Sequence, residues 1–298
     1  MSSYIDLHMH SVVSGDGEFS AKQLVERAKK VGLKYMAISD HDCVSSIADG
    51  LKYAKQEGIV LIPAVEICTE MNDGTELHVL GYNIDFNDFR FIEREKKVSN
   101  IFLNCTDDLI KTCLNAGFKF EKENVLKKSI NGYVTEEMIG ETILEDSRND
   151  DDPRLLDYRN NGPKSDNPGF NFYKQFCCQG QECYTPLPDI NMNIKDVSEL
   201  IHSTNGFMVL AHPAHNIKKD LSKLEEIYSY GLDGIEVFSS YHTKEDIEFY
   251  NAQADRLNFI KTVGSDFHGR CKPSIEMGSI DCNEDEILKG LKKFVCID

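Results

Sequence analysis

Tyr4-Ile5-Asp6-Leu7-His8-Met9-His10 opens the chain as a short apolar strand that ends on two histidines spaced i, i+2. Alternate residues of a strand project to the same face, so both imidazoles point one way. The pattern repeats along the chain: an apolar run of strand length, then histidine or carboxylate. Tyr35 to Ser39 runs into Asp40-His41-Asp42, and Ile59 to Cys68 carries Glu66. After an Asp73-Gly74 turn, Glu76 to Ile84 carries His78. Phe207 to Ala211 runs into His212-Pro213, Phe259 to Gly264 leads to Asp266-Phe267-His268, and Asp16 lies in the first loop.

Amphipathic helices separate these strands. From Ser20 to Val31, apolar Leu24, Val25, Ala28 and Val31 recur at helical spacing, with Ser20 as N-cap, Gln23 as its capping partner and Gly32 as terminator. Further helices are expected at 45–56, 194–204, 221–230, 244–257 and 284–294, and a strand at 234–238. The alternation implies parallel strands joined by right-handed crossovers. About seven such units predict an α/β fold, a distorted seven-stranded (β/α) barrel whose active site lies at the C-terminal ends of its strands. The middle breaks the rhythm. A long helix covers 89–115, helix and loop follow to about residue 188, and 149–171 is rich in Asp, Asn, Pro and Gly, which predicts a mobile or irregular surface segment. The expected organisation is a barrel domain of residues 1–100 and 186–298 with an inserted, mainly helical cap over 101–185.

If the strand ends meet at one mouth, His8, His10, Asp16, His41, Glu66, His78, His212, Asp266 and His268 crowd together. Buried like charges and unpaired imidazoles are costly, and divalent cations remove that cost. A nitrogen and oxygen donor set without thiolate suits manganese, iron or zinc better than calcium. Cys177-Cys178 and Cys183 lack the paired Cys-x-x-Cys spacing of a structural zinc site, and ten cysteines with no secretory signal read as reduced thiols.

The formal charge of −17 opposes binding of long nucleic acid, which depends on Lys and Arg neutralising phosphates. It favours a small substrate drawn into a locally positive pocket over a long one lying across the surface. No apolar run is long enough to span a membrane, and no signal peptide is visible, so a cytoplasmic location is expected.

The ordered series Asp6-Leu7-His8-Met9-His10, Ser39-Asp40-His41-Asp42, Pro63-Ala64-Val65-Glu66, His78-Val79-Leu80-Gly81-Tyr82, Leu210-Ala211-His212-Pro213 and Gly264-Ser265-Asp266-Phe267-His268 resembles the PHP (polymerase and histidinol phosphatase) family. Gly234-Ile235-Glu236-Val237 followed by His242, and the helix and insert after the hairpin, resemble its branch acting on nucleoside bisphosphates and on 5′ ends of short RNA. The resemblance implies a trinuclear site. His8, His10, Glu66 and Asp266 would hold one ion. Glu66 would bridge to a second ion held with His78 and His212. Asp16, His41 and His268 would hold the third. Asp40 would orient a ligand imidazole. A water activated between two ions would attack phosphorus in line. Arg270, Lys272 and His215 are the candidate phosphate contacts, and His242 is a candidate substrate contact or proton donor to the leaving group.

Two positions depart from that branch. His215 stands where an Arg is usual, and Thr135-Glu136-Glu137-Met138 replaces Thr-Arg-x-His. Neither His nor Glu reproduces the bidentate grip of an Arg on phosphate, and Glu136 would repel a second phosphate. The expected activity is therefore hydrolysis of a small, nucleotide-like phosphomonoester. Trimming of short oligonucleotides from the 5′ end and hydrolysis of histidinol phosphate are the alternatives, and a non-catalytic metal-binding module is a rival class. Amide hydrolysis is disfavoured, since no strand end carries a ligand lysine.

Overall fold

Ser20 accepts from the amide of Gln23 while the Gln23 side chain accepts from that of Ser20, so helix α1 (Ala21–Val31) starts where the capping pattern placed it. Gly32 ends it at φ 90°, a left-handed backbone that a side chain would strain. This computed structural model describes residues 3–159 and 161–293. The remaining elements before the insert are β1 (Ile5–Asp6), β2 (Tyr35–Met36), α2 (Ile47–Glu57), β3 (Val60–Leu61), β4 (Ala64–Glu70), β5 (Glu76–Tyr82) and α3 (Phe89–Asn115). Short α4 (Lys122–Leu126), α5 (Glu136–Glu145) and α6 (Pro168–Phe172) follow. Alternation then resumes with β6 (Met192–Asn193), α7 (Ile194–Ser203), β7 (Phe207–Leu210), α8 (Pro213–Asn216), α9 (Leu221–Ser229), β8 (Gly234–Ser239), α10 (Lys244–Leu257), β9 (Ile260–Gly264) and α11 (Glu284–Leu291).

The strands form two hydrogen-bonded rows, β1-β2-β3 and β6-β4-β5-β7-β8-β9. All neighbours are parallel except those of β5, which runs against both β4 and β7. Pro63 lacks an N–H, and the expected single strand 59–68 divides there into β3 and β4. The two rows meet at both ends. The Leu7 amide donates to Val263 (2.9 Å), that of Asp266 to His8 (2.9 Å) and that of His10 to Phe267 (2.9 Å). At the other junction the Asp42 amide donates to Glu66 (2.7 Å). The expected strands 4–10 and 35–39 are thus shorter as continuous ladders, but Met9 and His41 still bridge to Phe267 and Glu66.

Inside the strands, Tyr82 donates its hydroxyl to the Leu7 carbonyl (2.8 Å) and stacks on Phe207. Leu7, Leu80, Tyr82, Phe207, Val209 and Val263 pack as one buried cluster. The 109–183 stretch builds a separate apolar cluster from Leu109, Phe118, Val134, Ile139, Leu155, Phe172 and Phe176 among others. The 149–171 segment is irregular, as expected, and anchored by Leu155 and Tyr158, which are buried in that cluster. The Asp residues that suggested a loop serve as caps: Asp146 accepts from the Arg148 amide and Asp152 from that of Arg154. Among the described residues no helix is long and apolar enough to cross a membrane. The nine cysteines described are free thiols, and Cys113, Cys177 and Cys183 lie buried in the second cluster. Residues 294–298, including the expected end of the last helix, lie outside the described residues.

Candidate metal centre

β4 and β5 set the centre of the site. Cys68 lies directly across from His78 in their antiparallel register, and Glu66 shares the face of Cys68 two residues away. Glu66 and His78 therefore meet diagonally, with His78 Nδ1 3.1 Å from Glu66 Oε1. His212 Nε2 reaches the same oxygen at 3.1 Å. The other oxygen, Oε2, faces His8 Nε2 at 3.1 Å, His10 Nε2 at 3.2 Å and His41 Nδ1 at 3.2 Å. Asp266 Oδ1 lies 3.1 Å from His10 Nε2 and 3.4 Å from His8 Nε2. Asp16 Oδ2 is 2.9 Å from His268 Nε2 and 3.5 Å from His41 Nε2. All nine residues expected as ligands are thus gathered in one place.

They form three overlapping groups of donor atoms: His8, His10, Glu66 and Asp266; His10, Asp16, His41 and His268; and His41, Glu66 and His78. His10 belongs to the first two groups, and His41 spans Glu66 and Asp16 with its two nitrogens. His212 approaches Glu66 from the remaining side.

Backbone at the strand ends is strained. Asp42 (φ 52°), His212 (φ 25°) and Asp266 (φ 59°) adopt left-handed conformations that side chains disfavour. At His212 and Asp266 that turn aims a ligand into the cluster. Gly264 answers a different need: a Cβ there would sit 2.2 Å from His8 Cβ and 2.3 Å from Glu236 Oε1.

Charge in the cluster is unbalanced without cations. Burial pushes every carboxyl group toward neutrality, but the imidazoles overcome it and hold Glu66 and Asp16 well below the usual range. Burial likewise opposes protonation of His8 and His41, yet Glu66 and its fellow carboxylates raise both well above an ordinary histidine. His10 goes the other way, to about 4, through burial and the neighbouring His268 and His41. The carboxylates demand positive charge, and protonated imidazoles would supply it only by giving up their lone pairs. Buried His8 Nε2, His10 Nε2, His41 Nδ1, His268 Nε2, Glu66 Oε2 and Asp16 Oδ1 have no hydrogen-bond partner among the described residues. Nitrogen and oxygen lie about 3 Å apart there without hydrogen-bond alignment. Such a set fits divalent ions.

Partners outside the cluster fix the ligands. His8 Nδ1 lies 3.0 Å from Glu236 Oε1, and because a carboxylate only accepts, Nδ1 carries the proton and Nε2 keeps its lone pair. Glu236 Oε2 accepts the backbone amide of His212 (2.9 Å). His268 Nδ1 donates to the Asp266 carbonyl (2.8 Å), and His10 Nδ1 meets Ser14 Oγ (3.1 Å). Lys272 and Tyr241 both donate to Asp266 Oδ2 (2.6 Å each), leaving Oδ1 for the cluster. The sequence reading did not single out Glu236 or Tyr241. A charged residue inside the apolar run Gly-Ile-Glu-Val-Phe was the available signal for Glu236, since a wholly buried carboxylate needs partners.

At three of the expected positions the side chain is held by other partners. Asp40 touches no imidazole: it accepts from the Ser11 amide (2.6 Å) and hydroxyl (2.7 Å) and from the Ser46 hydroxyl, tying the first loop to α2. His242 donates from Nδ1 to the Val237 carbonyl (2.8 Å), accepts the Ala214 amide at Nε2 (3.4 Å) and stacks on Tyr250, so neither nitrogen is free for a substrate. Arg270 donates from Nε to Glu141 on α5 (2.7 Å) and is not among the residues that line the cleft. His215 does face the cleft, with Nε2 3.0 Å from Lys174 Nζ, and burial and that lysine lower it to about 3. The cleft holds about 550 Å³, and besides the ligands Tyr133, Glu136, Glu137, Phe170, Tyr173, Tyr241 and Lys272 line it.

The fold gathers a buried set of nitrogen and oxygen donors of the kind that holds divalent ions in hydrolases. Residues 6–151 match the model of the PHP domain, a family resemblance that relatives acting on phosphate esters extend over nearly the whole chain. Over 303 aligned residues it is 27% identical to a 5′-3′ exoribonuclease of Haemophilus influenzae, covering 99% of this chain and 100% of that one. It is 24% identical to a 3′,5′-nucleoside bisphosphate phosphatase of Chromobacterium violaceum, covering 89% and 87% of the two chains. Among solved structures it shares its fold with a metal-dependent phosphoesterase from Bifidobacterium adolescentis at a TM-score of 0.78, with 22% identity over 98% and 97% of the two chains.

Proposed function

We propose that the protein releases phosphate from small, nucleotide-like phosphomonoesters, with three divalent ions (manganese, iron or zinc) in its centre. The observation that carries this is the set of buried, unpartnered donor atoms around Glu66 and Asp16. In this reading the strand rows joined at both ends act as the seven-stranded barrel, and residues 101–185 as its cap. His8, His10, Glu66 and Asp266 would hold the first ion, His78 and His212 with Glu66 the second, and Asp16, His41 and His268 the third.

Bound ions would neutralise the phosphoryl oxygens and make a water acidic enough to attack phosphorus in line. The chain's own residues prepare that step. Glu236 fixes the His8 tautomer, Lys272 and Tyr241 hold Asp266 in place, and His215, Lys174 and Lys272 bring hydrogen-bond donors and positive charge to the mouth. The −17 charge favours a small substrate over a long nucleic acid. Trimming of short oligonucleotides is the second reading, favoured by the full-length likeness to an exoribonuclease.

The test is phosphate release by chelator-treated protein reloaded with manganese, iron or zinc. Substrates are a nitrophenyl phosphate, a nucleoside monophosphate, histidinol phosphate and a 5′-phosphorylated tetranucleotide. Release from none of them with any metal would overturn the proposal, and preference for the tetranucleotide would favour the second reading.

A further inference from the structure

Glu136 and Glu137 open helix α5 and face the cleft without a cation. Glu136 is only 8% exposed. Its carboxylate accepts from its own backbone N–H, and no hydrogen bond or ion pair joins it to another described side chain. Glu137 adds the Thr135 hydroxyl and likewise has no cation. Glu141, one turn further on the same helix, is met by both Arg270 (2.7 Å) and Lys128 (3.4 Å). The fold therefore gives positive charge to this helix where it packs against protein and withholds it where the helix meets the cavity.

Carboxylates in a first helical turn are favoured by the helix dipole, which accounts for glutamate at these positions. That benefit is equally available to an exposed glutamate, and it is small beside the cost of burying an unpaired charge. A carboxylate held without a cation on the wall of a cavity is placed to receive a ligand's donor.

The cavity is polarised. The start of α5 packs against the first loop, since a Cβ on Gly15 would lie 3.0 Å from Thr135 Cγ2, which puts the two glutamates beside Asp16. Positive charge gathers toward the other ligands. Lys174 Nζ lies 3.0 Å from His215 Nε2, the His215 ring is 5.9 Å from that of His212, and Lys272 grips Asp266. A phosphoryl group at the ions would find cations on one side only.

Building on the phosphoesterase reading, we infer that Glu136, with Glu137 beside it, is the subsite for the leaving alcohol and selects esters whose alcohol carries hydroxyl or ammonium donors over esters carrying a second phosphate. At a pH where the pair has released a proton, a donor reaching Glu136 gains a charge-assisted hydrogen bond, whereas a phosphate there meets like charge in a low-dielectric wall. Nothing in this selection changes the chemistry at phosphorus.

The test compares kcat/KM of the manganese-loaded protein for adenosine 5′-monophosphate and adenosine 3′,5′-bisphosphate, which differ only by a hydroxyl or a phosphate at one carbon. The unmodified protein is expected to favour the monophosphate by roughly tenfold or more. Glu136→Gln should shrink that preference and Glu136→Arg reverse it, a swing of roughly tenfold to a hundredfold in the ratio. Wild-type preference for the bisphosphate, or a ratio the substitutions leave unmoved, overturns the inference; if neither variant folds, the wild-type ratio alone decides. A manganese stoichiometry one lower in Glu136→Gln would overturn it too, by making the pair an ion site. Absence of phosphate release from both nucleotides and from nitrophenyl phosphate would instead defeat the underlying phosphoesterase reading.

Discussion

Replacing Glu236 with glutamine removes a charge while keeping nearly the same shape. Glu236 is wholly buried, and its two oxygens meet His8 Nδ1 at 3.0 Å and the His212 amide at 2.9 Å. A glutamine keeps one accepting oxygen and turns an NH₂ toward the other partner. One of the two contacts then sets donor against donor, unless His8 moves its proton to Nε2 and loses the lone pair that faces Glu66. A hydrogen bond to a charged group is worth about 1.5–3 kcal/mol, so the loss corresponds to roughly tenfold to a hundredfold in metal affinity, the size found for residues that hold metal-bound imidazoles. The assay is calorimetric titration of chelator-treated protein with manganese, alongside kcat/KM at saturating metal. Affinity within twofold of wild type, in a variant that unfolds normally, would refute the claim that Glu236 sets the His8 lone pair.

Arg94 on α3 forms a buried pair with Asp42 Oδ1 at 2.8 Å and also donates to the Ile190 carbonyl. Arg94→Met strands a buried carboxylate beside His41 and is expected to cost about 3–5 kcal/mol in denaturant unfolding; a loss under 1 kcal/mol would contradict it. Arg270→Ala should leave kcat/KM within about threefold, because Glu141 occupies the guanidinium; a loss beyond thirtyfold would restore Arg270 to the substrate. Burial raises Glu136 to about 7 and Glu137 to about 8. Each then holds its proton in the folded state after the unfolded chain has released it, so the stability of metal-free protein should fall as pH rises from about 5 to 8. Thermal unfolding of Glu136→Gln across that range should show a shallower decline, and an equal or steeper one would refute the assignment.

The ligands were legible because each sits at the end of an apolar run, and several runs ending alike leave few arrangements in which they do not meet. Asp16 has no apolar run of its own and was legible only as a carboxylate in the loop just after His8 and His10. Side-chain direction was not legible. Arg270 follows His268 by two residues and His242 lies just past the end of β8, yet one turns to Glu141 and the other to backbone groups. Asp40 adjoins a ligand but faces two serines. Nearness along the chain says little about aim where the backbone turns left-handed, as it does at Asp42 and Asp266. The alternation of strands and helices predicted an α/β fold and the order of its elements, apart from the break at Pro63 and the shorter first two strands. Within 149–171 the composition hid the buried Leu155 and Tyr158, because capping aspartates and loop aspartates look alike.

None of the nine gathered donors comes from residues 101–185, yet that stretch supplies Tyr133, Glu136, Glu137, Phe170 and Tyr173 to the cavity and is held together by an apolar cluster of its own. The gathered donors and the proposed alcohol subsite thus lie on different parts of the polymer. Mutational drift, or deliberate grafting, across the second part can retune which ester is admitted while the ion-holding apparatus stays constant, so a diverse library confined to 133–178 should yield altered preferences far more often than inert protein.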